Sequence, residues 1–285
     1  MSAEISSKIK AIAFLATLSL LYVGAFAVQE KQQALQDVRL ELARPVPYYR
    51  VVAGYLSNLA AEMIFVRSNV FLGRAIMRGD SLLPDGEALA YNFQVSTALY
   101  PRFLATYYSA QAFLPDLSPE LAQKTNDILE NGISADPDNF SLRFNYAANY
   151  FLWMHEPEKA RQAFSDSAQL PGAPPLFGAL AKMFATPAGS LQAAMMSLTV
   201  LKGTETDPKV QEKYSQQITN YTRAIEVQRA VEAYIQKTGK VPQSLNELLP
   251  LYLPVLPVFE LGYELDYKPP YVYLHRAEQQ EGQGK

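Results

Sequence analysis

The stretch from residue 136 to 171 constrains this chain more than any other. It opens on the turn-forming run Asp136-Pro137-Asp138-Asn139 and continues through Phe144-Asn145-Tyr146-Ala147-Ala148-Asn149-Tyr150. After Met154-His155-Glu156-Pro157 it resumes with Ala160-Arg161-Gln162-Ala163-Phe164 and closes on Leu170-Pro171. Apolar residues recur at helical spacing on both sides of the break, so the stretch reads as two helices joined by a turn. Ala147 and Ala160 are small enough to let the helices approach closely, and the rings of Tyr150 and Phe164 fill the seam beside them. Pro157 suits the first turn of the second helix, where its missing N–H costs nothing. The spacing then recurs. Thirty-four residues downstream, Leu180-Ala181 repeats Tyr146-Ala147, Phe184 repeats Tyr150, Ala194 repeats Ala160 and Leu198 repeats Phe164. Upstream, Pro101 precedes Pro137 by 36 residues, Leu129 precedes Phe164 by 35 and Phe93 precedes Leu129 by 36. A helix over 103–114 places Ala110 and Leu114 near the matching positions. The segment 87–100 offers Leu89, Phe93, Ser96 and Pro101 as a degenerate second helix of an earlier unit.

The pattern resembles the tetratricopeptide repeat (TPR), a helix-turn-helix unit of about 34 residues with the signature L-G-x2-Y, A-x3-F and a closing P. Tyr146 and Ala147 stand at the L-G pair, Tyr150 at the Y, Ala160 and Phe164 at A-x3-F, and Pro171 near the closing P. Arg143 stands where the signature has Trp, and one extra residue separates the helices. The resemblance implies stacked helix pairs, since one repeat cannot bury its own apolar face, and a concave surface lined by first helices. Tyr107, Gln111, Asn145, Asn149 and Lys182 are the candidate partner-binding positions on that surface. Asn145 and Asn149, one turn apart, could hydrogen-bond an extended peptide backbone; equally, they could cap or solvate a polar face.

Residues 1–10 are polar, with Lys8 and Lys10 just before an uncharged apolar run over 11–28. Eighteen helical residues span about 27 Å, enough for a bilayer core, and the lysines favour a cytoplasmic start. Ala25-Phe26-Ala27 also fits a signal-peptidase site, so the run reads either as a transmembrane anchor or as a cleavable signal peptide; both export the remainder of the chain. Residues 29–47 read as a helical stalk stopped by Arg44-Pro45-Val46-Pro47. Residues 48–77 are apolar on nearly every turn and read as one long buried helix, with Glu62 and Arg67 as an ion pair at a packing surface. The helical repeats run over 48–203, with Ser190 as a fair N-cap in the turn 186–190.

A long helix over 208–237 comes after a short break at 203–207 and stops at Thr238-Gly239. Beyond it come Val241-Pro242-Gln243-Ser244-Leu245-Asn246-Glu247-Leu248, Leu253-Pro254-Val255-Leu256-Pro257 and Gly262-Tyr263-Glu264-Leu265-Asp266-Tyr267. This G-x-x-P-x-S-L-x-E-L run is similar to the tail of type II secretion pseudopilins, although Val258-Phe259-Glu260-Leu261-Gly262 replaces that family's Asp-Pro-aromatic-Gly. It implies a shared folding device, a helix leading into a small strand-bearing cap over 208–276. Alternation in Tyr263-Leu265-Tyr267 and Tyr271-Tyr273 around Lys268-Pro269-Pro270 reads as a hairpin, and 277–285 as a disordered polar tail. The expected fold is all-α: an N-terminal transmembrane helix, a TPR-like array and a small C-terminal β-hairpin cap.

Composition narrows the chemistry. With 25 Lys and Arg against 28 Asp and Glu there is no basic surplus for nucleic acid. The absence of cysteine removes disulfides, thiolate metal sites and a cysteine nucleophile. The only histidines, His155 and His275, have no neighbours at metal-ligand spacing. Asp136-Pro137-Asp138-Asn139 lacks the glycine and glutamate of a calcium loop. Neither a phosphate-binding glycine loop, G-x-S-x-G nor H-E-x-x-H occurs. We therefore expect no cofactor, no metal and no catalysis. The expected function is a membrane-anchored scaffold or adaptor that binds envelope proteins, held by residues 11–28. The alternatives are a fixed structural subunit and an exported enzyme.

Overall fold

The computed structural model describes residues 40–276 together with Thr17, Ser19, Tyr22 and Gly24, which are helical. Those four positions, with residues 40 and 41, fall in one unit, Met1–Glu41, and the rest of the fold belongs to a second, Leu42–Lys285. The readings for 1–10, for 11–28 apart from those four residues, for 29–39 and for 277–285 lie outside the described residues. Among the described residues no helix is long and apolar enough to cross a membrane. The protein is mostly helical, 69% by residue, with ten described α-helices and one two-stranded antiparallel sheet at the C-terminal end.

The first helices differ from expectation. The segment 48–77 is not one helix. It is a short α1 (Val46–Val52), a 3-10 turn (Gly54–Leu56) and a long α2 (Ser57–Arg78). Gly54 breaks the run by adopting φ +50°, a conformation that residues with a Cβ avoid. Nor is α2 buried all round. Ala61, Ile64, Ser68, Leu72 and Ala75 are covered, while Leu59, Met63, Val66 and Val70 on the other side are exposed, as are Glu62 and Arg67.

Helices α3 (Gly86–Leu99), α4 (Leu104–Phe113), α5 (Pro119–Ala135), α6 (Phe140–Leu152), α7 (Pro157–Ala168), α8 (Pro175–Met183), α9 (Pro187–Thr204) and α10 (Pro208–Thr238) come next, each packed chiefly on its neighbours in the chain. Proline opens α5, α7, α8, α9 and α10, where no N–H is required. Side-chain caps sit in front of four of the helices. Ser118 accepts from Leu121 N at 3.2 Å, Asn139 from Leu142 N at 3.2 Å, Thr186 from Gly189 N at 3.1 Å and Asp207 from Lys209 N at 2.8 Å. Thr186 rather than Ser190 therefore caps α9; Ser190 lies inside the helix and donates to Thr186 O. Helices α4, α6 and α8 begin at Leu104, Phe140 and Pro175, 36 and then 35 residues apart.

In the α6–α7 pair, Ala147, Ala160 and Phe164 have no exposed surface. The Phe164 ring meets Phe144 and Phe177 edge-on at 5.7 Å and stacks on Phe184 at 5.8 Å. Tyr150 is only half-buried. Its hydroxyl donates to Tyr146, which donates to Glu130, so the ring lies along the polar edge and Phe144 fills the seam instead. Where α4, α5 and α6 converge, Gly132 makes room: a Cβ there would stand 2.7 Å from Leu142 Cδ1 and 2.8 Å from the Tyr107 ring, so those side chains would have to shift.

The cap is docked on α10. Gly239 ends that helix in the left-handed conformation. Ser244 and Glu247 then form a capping box, with Glu247 Oε1 accepting from Gln243 N and Ser244 N at 2.9 and 3.1 Å. Leu248 is thereby driven into a cluster with Val227, Val231, Leu253 and Val272. Strands β1 (Tyr263–Lys268) and β2 (Tyr271–Arg276) pair with Tyr263 opposite Arg276 and Lys268 opposite Tyr271. Two buried amides of α10 hold this region. Asn220 makes reciprocal bonds of 3.0 Å with the backbone of Glu260, and Gln228 Oε1 accepts from Val272 N at 2.9 Å. Asp116, in the turn after α4, pairs with Lys213 of α10 at 2.6 Å and with Arg276 of β2 at 2.8 Å.

Candidate functional site

Five consecutive helices are joined by buried polar side chains. Asn92 of α3 donates to Ser68 of α2 at 3.2 Å, and Ser96 of α3 lies 3.1 Å from Thr106 of α4. Gln111 of α4 and Asn149 of α6 exchange two amide hydrogen bonds, at 2.8 and 2.9 Å. Asn149 also donates to Asn126 of α5 at 2.9 Å, and Asn126 donates to Tyr146 O. Buried amides carry a desolvation penalty unless paired, and here each finds a partner across a helix boundary.

Beside this ladder lies a cleft of about 530 Å³. One wall is α2, with Phe65, Asn69, Leu72, Gly73 and Ile76; α4 and Asn145 of α6 form the floor. The rim is Thr204 to Asp207 between α9 and α10, with Tyr214 beyond it. The rim acids are engaged locally. Glu205 Oε1 accepts from Thr206 N at 2.6 Å and Asp207 N at 2.9 Å, and Asp207 caps α10. Lys209 crosses from α10 to Ile76 O at 3.2 Å and ties the rim to the end of α2. Asn69 accepts from Ser109 at 3.2 Å. Asn145 is different: it is 7% exposed, lines the cleft, and has no side-chain hydrogen-bond partner among the described residues. An amide in such a position presents one acceptor and two donors to whatever enters.

The five candidate residues separate on this geometry. Tyr107, Gln111, Asn145 and Asn149, expected at an exposed surface, are buried. Tyr107 donates to Pro101 O at 2.8 Å, and burial pushes its phenol up to about 12. Gln111 borders the cleft, but its amide is committed to Asn149. Lys182 is exposed on α8, away from the cleft-lining residues. Asn145 alone combines a cleft position with an unpartnered amide. Sequence reasoning missed Phe65, Asn69, Tyr108 and Ser109. Tyr108 and Ser109 stand next to the chosen Tyr107, and a shift of one residue turns a helix by about 100°, from core to cleft. Asn69 and Gly73, four apart and so on one face of the helix, are the signal that marked the α2 wall.

Among the described residues, no cluster of three or more His, Asp or Glu side chains is placed to hold a metal ion. Comparison with protein-family models, with curated proteins and with solved structures returned no match.

Proposed function

We propose that the chain is a membrane-anchored, non-catalytic scaffold of the tetratricopeptide type. It binds a segment of an envelope protein on the extracytoplasmic side and so supports assembly of an envelope complex. The observation that carries the reading is the cleft-facing amide of Asn145, unpartnered inside a wall of Phe65, Leu72, Ile76 and Phe113. Apolar walls with a few convergent amides and hydroxyls suit an extended peptide, whose backbone needs donors and acceptors and whose side chains need apolar cover. Besides the α9–α10 rim, the cleft is lined by α2, α4 and Asn145 of α6, and in a repeat array of this type such first helices of successive pairs would line the concave face. The anchor rests on the apolar run over 11–28 behind Lys8 and Lys10.

A photo-crosslinking residue in place of Tyr108, in cells making the full chain, should capture a protein partner from the membrane fraction. Asn145→Leu should lower that capture and leave the melting temperature close to the parent's, because the amide has no hydrogen-bond partner among the described residues. Undiminished capture by Asn145→Leu would remove the cleft from the mechanism. Recovery only as a permanent complex, with no binding of free peptide, would favour a fixed structural subunit. A reporter fused after Lys285 should work outside the cytoplasm; activity confined to the cytoplasm would refute the placement.

A further inference from the structure

The cleft carries charge of one sign. Among the residues lining it there is no lysine, arginine or histidine, and its two carboxylates are Glu205 and Asp207 on the rim. The link between α9 and α10 fixes both. Glu205 Oε1 accepts from Thr206 N and Asp207 N, and Asp207 Oδ1 accepts from Lys209 N, so one oxygen of each is engaged by the backbone. Glu205 is itself held from both sides: its N–H donates to Leu201 O at 3.1 Å and its carbonyl accepts from Gln211 Nε2 at 2.6 Å. The second oxygens, Glu205 Oε2 and Asp207 Oδ2, have no hydrogen-bond or ion-pair partner among the described residues. Lys209 gives its ammonium to Ile76 O, and Lys213 gives its own to Asp116. Acids on a turn are ordinarily left to water, but two nearly buried groups of the same cleft also lack partners. Asn145 and Tyr214 are 7% and 4% exposed, and neither the amide nor the phenol has a hydrogen-bond partner among the described residues. The Tyr214 phenol holds its proton more tightly than an ordinary one, first through burial and then through the negative charges of Glu205 and Asp116.

We propose that the cleft selects a basic side chain, arginine or lysine, of the partner segment. This selectivity rests on the cleft being the partner site and adds the chemistry by which one segment is told from another. A basic head brings donors only, five N–H groups in a guanidinium and three in an ammonium. The cleft offers the matching acceptors: two carboxylate oxygens, the Asn145 carbonyl and the Tyr214 hydroxyl oxygen. The aliphatic stem of the same side chain needs apolar cover, which Leu72 and Ile76 supply. An acidic side chain in that place would meet like charge. A neutral one would cover the carboxylates without giving them a cation in place of water. Because the backbone already holds Glu205 and Asp207, binding spends little on ordering them.

The test titrates the full-length protein in lipid nanodiscs with three blocked, fluorescent heptapeptides. They share valine and leucine flanks and differ at the centre, which is arginine, glutamine or glutamate; empty nanodiscs give the blank. The arginine peptide should bind about tenfold more tightly than the glutamine peptide, the gain of one hydrogen bond to a charged group over a neutral one. The glutamate peptide should bind most weakly, and added salt should narrow the differences. Glu205→Gln combined with Asp207→Asn removes both charges and keeps an acceptor at each backbone contact. It should bring the arginine peptide down to the affinity of the glutamine peptide and leave the latter unchanged, with circular dichroism confirming intact helices. Asn145→Leu should weaken all three. Equal affinity for the three peptides, with Asn145→Leu weakening each, would overturn the selectivity and leave the cleft as the partner site. So would a preference for arginine that survives the double variant. Binding of none of the peptides, or capture of the protein's own chain by a crosslinking residue in place of Tyr108, would overturn the selectivity and the partner site together.

Discussion

Phe164 touches three other aromatic rings and has no exposed surface, so its removal leaves a cavity that cannot collapse easily. Phe164→Ala should cost roughly 3–5 kcal/mol in denaturant unfolding. The two asparagines of α6 make a sharper contrast. Asn149→Ala strands the amides of Gln111 and Asn126 in the interior and should cost about 1–3 kcal/mol. Asn145→Leu should cost less than Asn149→Ala, because the Asn145 amide has no hydrogen-bond partner among the described residues to leave stranded. In the sequence these asparagines look alike, one turn apart on an apolar helix. What separates them is 38 residues away at Gln111 and 23 residues away at Asn126. Ala147, Ala160 and Phe164 were legible because their environment is set within the helix pair itself. Tyr150 was not, because its hydroxyl follows a partner, Tyr146, that could have pointed either way.

At the level of elements, Asp116 adds a bridge between α10 and the cap from the turn after α4, and its side chain is only 9% exposed. Asp116→Ala removes the shared partner of Lys213 and Arg276 and should lower stability by roughly 1.5–3 kcal/mol, the range for hydrogen bonds to charged groups. Hydrogen exchange should show the loss concentrated in β2 and the first turns of α10. Uniform acceleration across α2 to α7 would mean that the pairing does not act locally. The cap was readable in outline because its signals are short-range: glycine after the helix, Ser244 and Glu247 at capping-box spacing, and alternating strand residues. The behaviour of α2 was not readable. Apolar residues on both of its sides make the same sequence pattern whether a neighbour comes from this chain or from elsewhere. The Gly54 break was visible as a residue, but nothing local required its positive φ.

Across the whole molecule, the two histidines lie 120 positions apart in the chain, yet the fold brings them within electrostatic reach. His155, in the α6–α7 turn at φ +57°, is held below the ordinary imidazole value of 6.5, first by burial and then by His275 of β2. The unfolded chain therefore binds a proton more readily than the folded one. Stability is fully present above pH 6.5 and is lost as the pH falls from there through the depressed folded value. Melting temperature should drop on acidification through that window. His155→Asn, which tolerates the left-handed backbone without a titrating ring, should flatten this part of the profile. An unchanged profile would assign the acid sensitivity to other groups. The pairing of Asp116 with Arg276 has a consequence in time. The two residues are separated by 160 positions, so a ribosome adding about 5–20 residues per second leaves Asp116 waiting on the order of 10–30 s for its strand partner. Throughout that interval the surface that will receive the hairpin is open on the nascent chain.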